Sequence, residues 1–307
     1  MWAGALAFTL WGFFPLYFRV LPGVFPPEVL ANRIVWALLL VAIVLTWQSR
    51  WSWLGPALRS RRVMASFVAS ALLLSANWMT YIWAVSNGHV VEASLGYFIT
   101  PLINVGLGYG VLGERPRRAQ WIALGVAAAG VVWLTVSAGR LPWIGLVLGL
   151  SFGAYGLLRK VATLGALEGL TLETMILAPA AACAMAWWWG GSATSFPAAT
   201  LATNLWLVGL GPATTAPLLL FALAARRLPL TTLGLFQYLS PTIQFLLGIW
   251  LFQEPFSATR FVGFALIWIA LALYTFDGWR RRGAFITPPE RATHETTAND
   301  RADPSAR

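Results

Sequence analysis

The chain has 307 residues, of which 58% are hydrophobic and 10% charged, with a formal net charge of +10 and a mean hydropathy of +0.69. So apolar a composition excludes a water-soluble domain and leaves an integral membrane protein. The excess positive charge does not argue for nucleic-acid binding, because the basic residues fall in short loops between apolar runs, where membrane topology explains them.

Ten such runs follow one another, each close to the roughly 20 residues that cross a hydrocarbon core about 30 Å thick. They extend from Trp2 to Val20, Leu30 to Trp47, Met64 to Val85, Val91 to Leu112, Gln120 to Val136, Leu141 to Leu158, Leu172 to Gly190, Leu201 to Ala225, Leu230 to Phe252 and Thr259 to Phe276. They are continuously apolar rather than alternating, which predicts α-helices and not barrel strands. No basic segment precedes the first run and no A-x-A site follows it, so it is expected to be retained as an anchor.

The loops alternate in charge. Fourteen basic residues lie on one side: Arg50, Arg59, Arg61 and Arg62; Arg115, Arg117 and Arg118; Arg159 and Lys160; Arg226 and Arg227; Arg280, Arg281 and Arg282. Arg19, Arg33, Arg140 and Arg260 face them. The positive-inside rule then makes both termini cytoplasmic. The polar segment from Gly283 to Arg307 cannot bury enough surface to fold and reads as a disordered tail.

An internal repeat organises the ten runs. Leu95 to Thr135 can be laid without a gap on Leu235 to Thr275, pairing Pro101 with Pro241, Gly108 with Gly248 and Glu114 with Glu254. Seven of the 41 positions are identical, and they include turn and polar types that a Leu/Ala-rich background would not supply in register. Each copy holds five runs, an odd number, so the copies must be inverted in the membrane, a common build of secondary transporters. The expected organisation is residues 1–136 as the first five-helix repeat, 141–276 as the second and 277–307 as a tail.

Polar residues at helical spacing mark candidate binding positions. Tyr97, Thr100 and Asn104 share one face of the fourth run, and Gln237, Ser240 and Gln244 are their counterparts on the ninth. Pro101 and Pro241 lie inside these stripes, each removing a backbone donor and freeing a carbonyl. The third run adds Ser70, Asn77 and Tyr81, with Trp78 beside them, while Trp11 and Tyr155 lie on the first and sixth. Rings with polar tips suit an amphipathic organic solute, and interhelical hydrogen bonding is the alternative reading of the same groups. Arg33 is one turn inside the second run, Glu92 opens the fourth and Glu173 the seventh; a charge held at mid-bilayer costs about 2.5 to 3.5 kcal/mol and points to function, unless it snorkels to the headgroups. Glu114 and Glu254 stand where their helices end.

Other features read as structural. Gly145, Gly149 and Gly153 form a stripe for close helix packing. Cys183, the single cysteine, reads as a small packing residue. His89 and His294 have no ligand partner at helical spacing, and no nucleophile elbow, phosphate loop or HExxH helix is present. Neither catalysis nor a cofactor is expected.

The segments Asn77 to Val85, Glu92 to Leu102, Leu112 to Arg115 and Thr232 to Tyr238 resemble the RarD family, bacterial inner-membrane permeases of the EamA type within the drug/metabolite transporter superfamily. The resemblance covers nearly all of residues 1–280. It implies ten helices in two inverted five-helix repeats and a cavity lined by the first, third, fourth, sixth, eighth and ninth. Two departures stand out: Thr100 occupies the position before the proline where the family has Asn, and the chain starts at Met1-Trp2 without a short hydrophilic lead.

The expectation is an all-α integral membrane protein of the bacterial inner membrane that exports a small organic solute by alternating access. Its solute-binding residues would be Trp11, Arg33, Asn77, Tyr81, Tyr97, Thr100, Asn104, Tyr155, Gln237, Ser240 and Gln244. A membrane enzyme acting on a lipid-linked substrate is the alternative; it would need an interfacial acidic or His cluster that scattered Glu92, Glu114 and Glu173 do not form. Partners are the solute and the bilayer, and no nucleic acid. Proton coupling and the choice of monomer or homodimer stay open on sequence.

Overall fold

The computed structural model of the chain describes residues 2–21, 23–113, 117–139, 141–190, 196, 200–227, 236–254 and 257–280. Glu114, Arg140, the start of the ninth run and residues 281–307 lie outside them, while residues 277–280, expected in the tail, end the last helix. The described chain is helical without a strand, as continuous apolar runs require where no water can satisfy the backbone. The helices are α1 (Trp2–Gly12), α2 (Phe14–Arg19), α3 (Pro26–Trp47), α4 (Leu54–Arg59), α5 (Arg61–Ser86), α6 (Val90–Leu112), α7 (Arg118–Ala138), α8 (Trp143–Val161), α9 (Ala166–Gly190), α10 (Leu201–Arg227), α11 (Leu239–Trp250) and α12 (Ala258–Arg280).

Among the described residues seven helices, α3 and α5 to α10, are long and apolar enough to cross a membrane by length and composition. The other three of the ten expected runs are the first, the ninth and the tenth. The first run breaks at Phe13 into α1 and α2, because Pro15 cannot donate to Trp11. Of the ninth run only the part from Phe236 is described, and α11 has 12 residues. In the tenth, the described apolar stretch is Phe261–Ala270.

Local chemistry sets several ends. Pro26 and Pro27 open α3, where no intrahelical donor is lost. Ser60 accepts from the Val63 amide at the start of α5. Gly113 and Gly139, both left-handed, close α6 and α7. Pro101 is carried inside a continuous α6, whereas Pro241 falls in the first turn of α11, where its missing N–H costs nothing.

The starts of α3, α5 and α7 at residues 26, 61 and 118 recur at 166, 201 and 258 in α9, α10 and α12, each 140 residues later. In the bundle α3 packs on α9 and α10, α5 on α8 and α9, α6 on α8 and α11, and α1 on α10 and α11, while α7 and α12 pair with each other. Close approach of α6 and α8 runs along the glycine stripe. A Cβ on Gly149 would meet the Gly96 carbonyl at 3.0 Å, and one on Gly96 would meet the Gly145 carbonyl at 2.7 Å. Large apolar side chains such as Trp47, Ile122 and Val132 are exposed, as they are on a lipid-facing surface. Cys183 is also exposed, so it does not pack the interior as the sequence suggested.

Candidate functional site

A cavity opens between the helices where α1 breaks. Its walls come from Phe8, Trp11 and Phe14 on α1 and α2, Arg33 on α3, Asn77, Trp78 and Tyr81 on α5, Tyr97 and Thr100 on α6, Phe152 on α8, Leu218 on α10, and Gln237, Ser240 and Gln244 at α11. Its outline takes in about 540 Å3, part of it open solvent, and a water-sized sphere can centre itself in only about 40 Å3. That smaller figure governs occupancy: it is room for about three waters, at roughly 10 to 15 Å3 each. The cavity is therefore narrow, and its walls must part to admit an organic solute.

Nine of the eleven residues singled out from sequence lie in these walls: Trp11, Arg33, Asn77, Tyr81, Tyr97, Thr100, Gln237, Ser240 and Gln244. Asn104 and Tyr155 do not. Asn104 donates from Nδ2 to Gln237 Oε1 at 3.2 Å, tying α6 to the segment before α11. Tyr155 is buried with its hydroxyl 3.5 Å from Glu173 Oε2. Helical spacing alone could not separate a wall from the contact behind it.

Most polar tips in the walls are already engaged. Asn77 donates from Nδ2 to the Leu148 carbonyl and to Ser151 Oγ, both at 3.0 Å, and its Oδ1 accepts from the Tyr97 hydroxyl at 3.2 Å. Thr100 bonds back to the Gly96 carbonyl. Gln244 Nε2 donates to Ser240 Oγ and to the Trp11 carbonyl, both at 3.0 Å. That carbonyl lacks its ordinary helical donor because the residue four positions on is Pro15, so Gln244 fills a vacancy that the helix break creates.

Three buried polar atoms in the walls have no partner: Arg33 Nε, the Tyr81 hydroxyl and Gln244 Oε1. Buried polar groups are normally satisfied. Arg33 stands seven residues into α3, about 10 Å from the helix start at 1.5 Å per residue. It is 2% exposed and lies over the rings of Trp78 and Phe14, 4.1 and 5.0 Å from their centroids. Its head therefore does not snorkel to a surface.

Glu173 is likewise not at a helix opening: α9 starts at Ala166, and Glu173 is fully buried. Its carboxylate accepts from Ser70 Oγ and Tyr155 and faces Arg159 at 3.7 Å. Glu92 stays half-buried in the first turn of α6. Glu254 accepts from the Val90 and Val91 amides at 2.6 and 2.9 Å, capping α6 from the end of α11.

Phe8, Phe14, Phe152 and Leu218 were not foreseen as walls. Two signals were available. Phe8, Trp11 and Phe14 recur every three residues, and Leu218 is 140 residues after Trp78, the offset of the repeat.

Known proteins place this arrangement. Residues 1–136 match the model of the EamA-like transporter family. An uncharacterised transporter of Pseudomonas aeruginosa is 44% identical over 90% of this chain and 93% of its own length. The RarD proteins of Streptomyces exfoliatus and Escherichia coli are 43% and 41% identical, over 89% and 88% of this chain and 87% and 92% of theirs. The chain belongs to the RarD family of EamA-type permeases. It is thus a multi-pass membrane protein of the drug/metabolite transporter type. A solved crystal structure superposes with a TM-score of 0.61 over 91% of this chain and 96% of the other at 21% identity, a likeness of fold alone. Against the wall set that the RarD resemblance implied, the structure adds the second run, through Arg33.

Proposed function

We propose that the chain is a secondary transporter that carries a small organic solute through the central cavity by alternating access. The observation that carries this reading is a narrow aromatic cavity whose walls leave three polar atoms unpartnered. A site kept for packing would satisfy or omit them; a solute site leaves them for the solute. The reading takes the fold as ten spans in two inverted five-helix repeats, residues 1–136 and 141–276. What supports it is the 140-residue offset shared by the starts of three helix pairs and the register of Leu95–Thr135 on Leu235–Thr275. Inverted halves give such a carrier two related gates around one fixed site.

The arginine asymmetry of the loops supports an inner-membrane orientation with both termini cytoplasmic, and export is the direction we assign. Relatives from Pseudomonas aeruginosa and Bacillus subtilis are named as transporters, and another from Pseudomonas aeruginosa is named chloramphenicol-sensitive. The test is counterflow in proteoliposomes with radiolabelled chloramphenicol and a panel of aromatic acids, amides, amines and amino acids. A carrier gives saturable uptake that accelerates with the same solute on the far side. Flux that rises linearly with concentration and ignores the far side would reject the reading.

A further inference from the structure

Resting on that reading, we infer that the solute is an aromatic organic monoanion, a carboxylate in the first instance, which docks on Arg33 and presents an uncharged hydrogen-bond donor to Gln244. The argument begins with charge. Arg33 is a permanent cation, and the cavity walls contain no Asp or Glu to balance it. Glu173, the residue 140 positions later on the equivalent helix α9, is occupied by Ser70, Tyr155 and Arg159. The guanidinium carbon lies over the rings of Trp78 and Phe14, and Nε, one of its donors, lacks a partner. A buried cation with no counterion is costly, and a planar fork of donors matches a carboxylate.

The other two free atoms refine the class. The Tyr81 hydroxyl is a second donor beside the cation, its ring 5.8 Å from that of Tyr97 and both rings in the cavity wall. Gln244 Oε1 is an acceptor, and its identity is fixed: Nε2 must face the Trp11 carbonyl, which can only accept. A single neutral acceptor suits a hydroxyl or amide N–H. It does not suit an ammonium group, which would also stand near Arg33 with no carboxylate to meet it. Amines and zwitterionic amino acids are therefore disfavoured. A doubly charged phosphate ester would leave one negative charge unbalanced against the cavity's single cation. The body between these ends packs on Phe8, Trp11, Phe152 and Leu218, which selects a flat apolar group.

A matched series tests this on the purified full chain: 4-hydroxyphenylacetate, its neutral amide, tyramine and tyrosine, each read by thermal shift and by counterflow. Ligand that binds only the folded state raises apparent stability. The expected result is a saturable upward shift with 4-hydroxyphenylacetate, with at least tenfold weaker apparent affinity for the other three. Arg33→Gln should abolish the shift while its own unliganded melting temperature stays level or rises, since the variant removes an uncompensated buried charge. Arg33→Lys should bind more weakly than wild type yet still prefer the anion. Equal or stronger binding of the amide or tyramine, an undiminished anion effect in Arg33→Gln, or no shift from any member would overturn the assignment. A large fall in the melting temperature of unliganded Arg33→Gln would also overturn it, since Arg33 would then be structural. Anion binding without counterflow would instead reject the carrier reading and leave the anion site standing.

Discussion

Gln244 and Asn104 occupy equivalent positions in the two halves of the chain, yet the structure gives them different work. Gln244 holds the Trp11 carbonyl with one end and leaves the other in the cavity; Asn104 bonds to Gln237 behind the wall. Asn104→Ala should therefore cost about 0.6 kcal/mol, and at most about 1.7, of stability with transport per folded molecule near wild type. Gln244→Ala should lower transport severalfold as well as stability. Melting and counterflow on both variants decide the point. The buried pair makes a separate prediction: Glu173→Leu strands Arg159, and Arg159→Met strands Glu173, at about 3 to 5 kcal/mol each. Combining the two should cost well under their sum, which a double-mutant cycle measures.

At the scale of helices, hydropathy located the long runs because each is apolar on every side, but it placed several boundaries wrongly. The apolar signal of the seventh run starts at Leu172, while the helix starts at Ala166. Glu168 lies in that first turn, pairing with Arg50 at 2.5 Å, so the hydrogen-bonded helix extends past its hydrophobic stretch. This is why Glu173 looked terminal and is in fact deep. The break at Phe13 was also hidden, since Pro15 falls in an unbroken apolar run and hydropathy does not register a missing N–H. Glycine packing, by contrast, was legible from spacing. Gly96→Ala would drive a Cβ to 2.7 Å from the Gly145 carbonyl, so it should destabilise the detergent-solubilised protein by about 1 to 3 kcal/mol. Gly106→Ala, with nothing within 4 Å of the added carbon, should be neutral or slightly favourable on helix propensity. Equal melting of the two variants would contradict the α6–α8 contact.

For the whole molecule, sequence carried the membrane class, the family and most of the cavity's polar residues, because polar groups are rare against an apolar background. It could not carry the aromatic walls, since Phe8, Phe152 and Leu218 look like any other apolar residue until the helices converge. Orientation rests on the arginines. In a Cys183→Ala background, cysteines at Arg59 or Arg117 should be shielded from impermeant thiol reagents in intact cells, and one at Ser192 should react; the opposite pattern would invert the assigned sidedness.

The central claim, that solute passes through this cavity, is tested most directly by filling it. Leu218 is 3% exposed in the wall, and a tryptophan there would take up the little open space that remains. Counterflow of the best-transported probe, per folded molecule, should fall at least tenfold in Leu218→Trp, while overpacking costs about 1 to 3 kcal/mol of stability. Undiminished, saturable counterflow through the filled cavity would contradict the account.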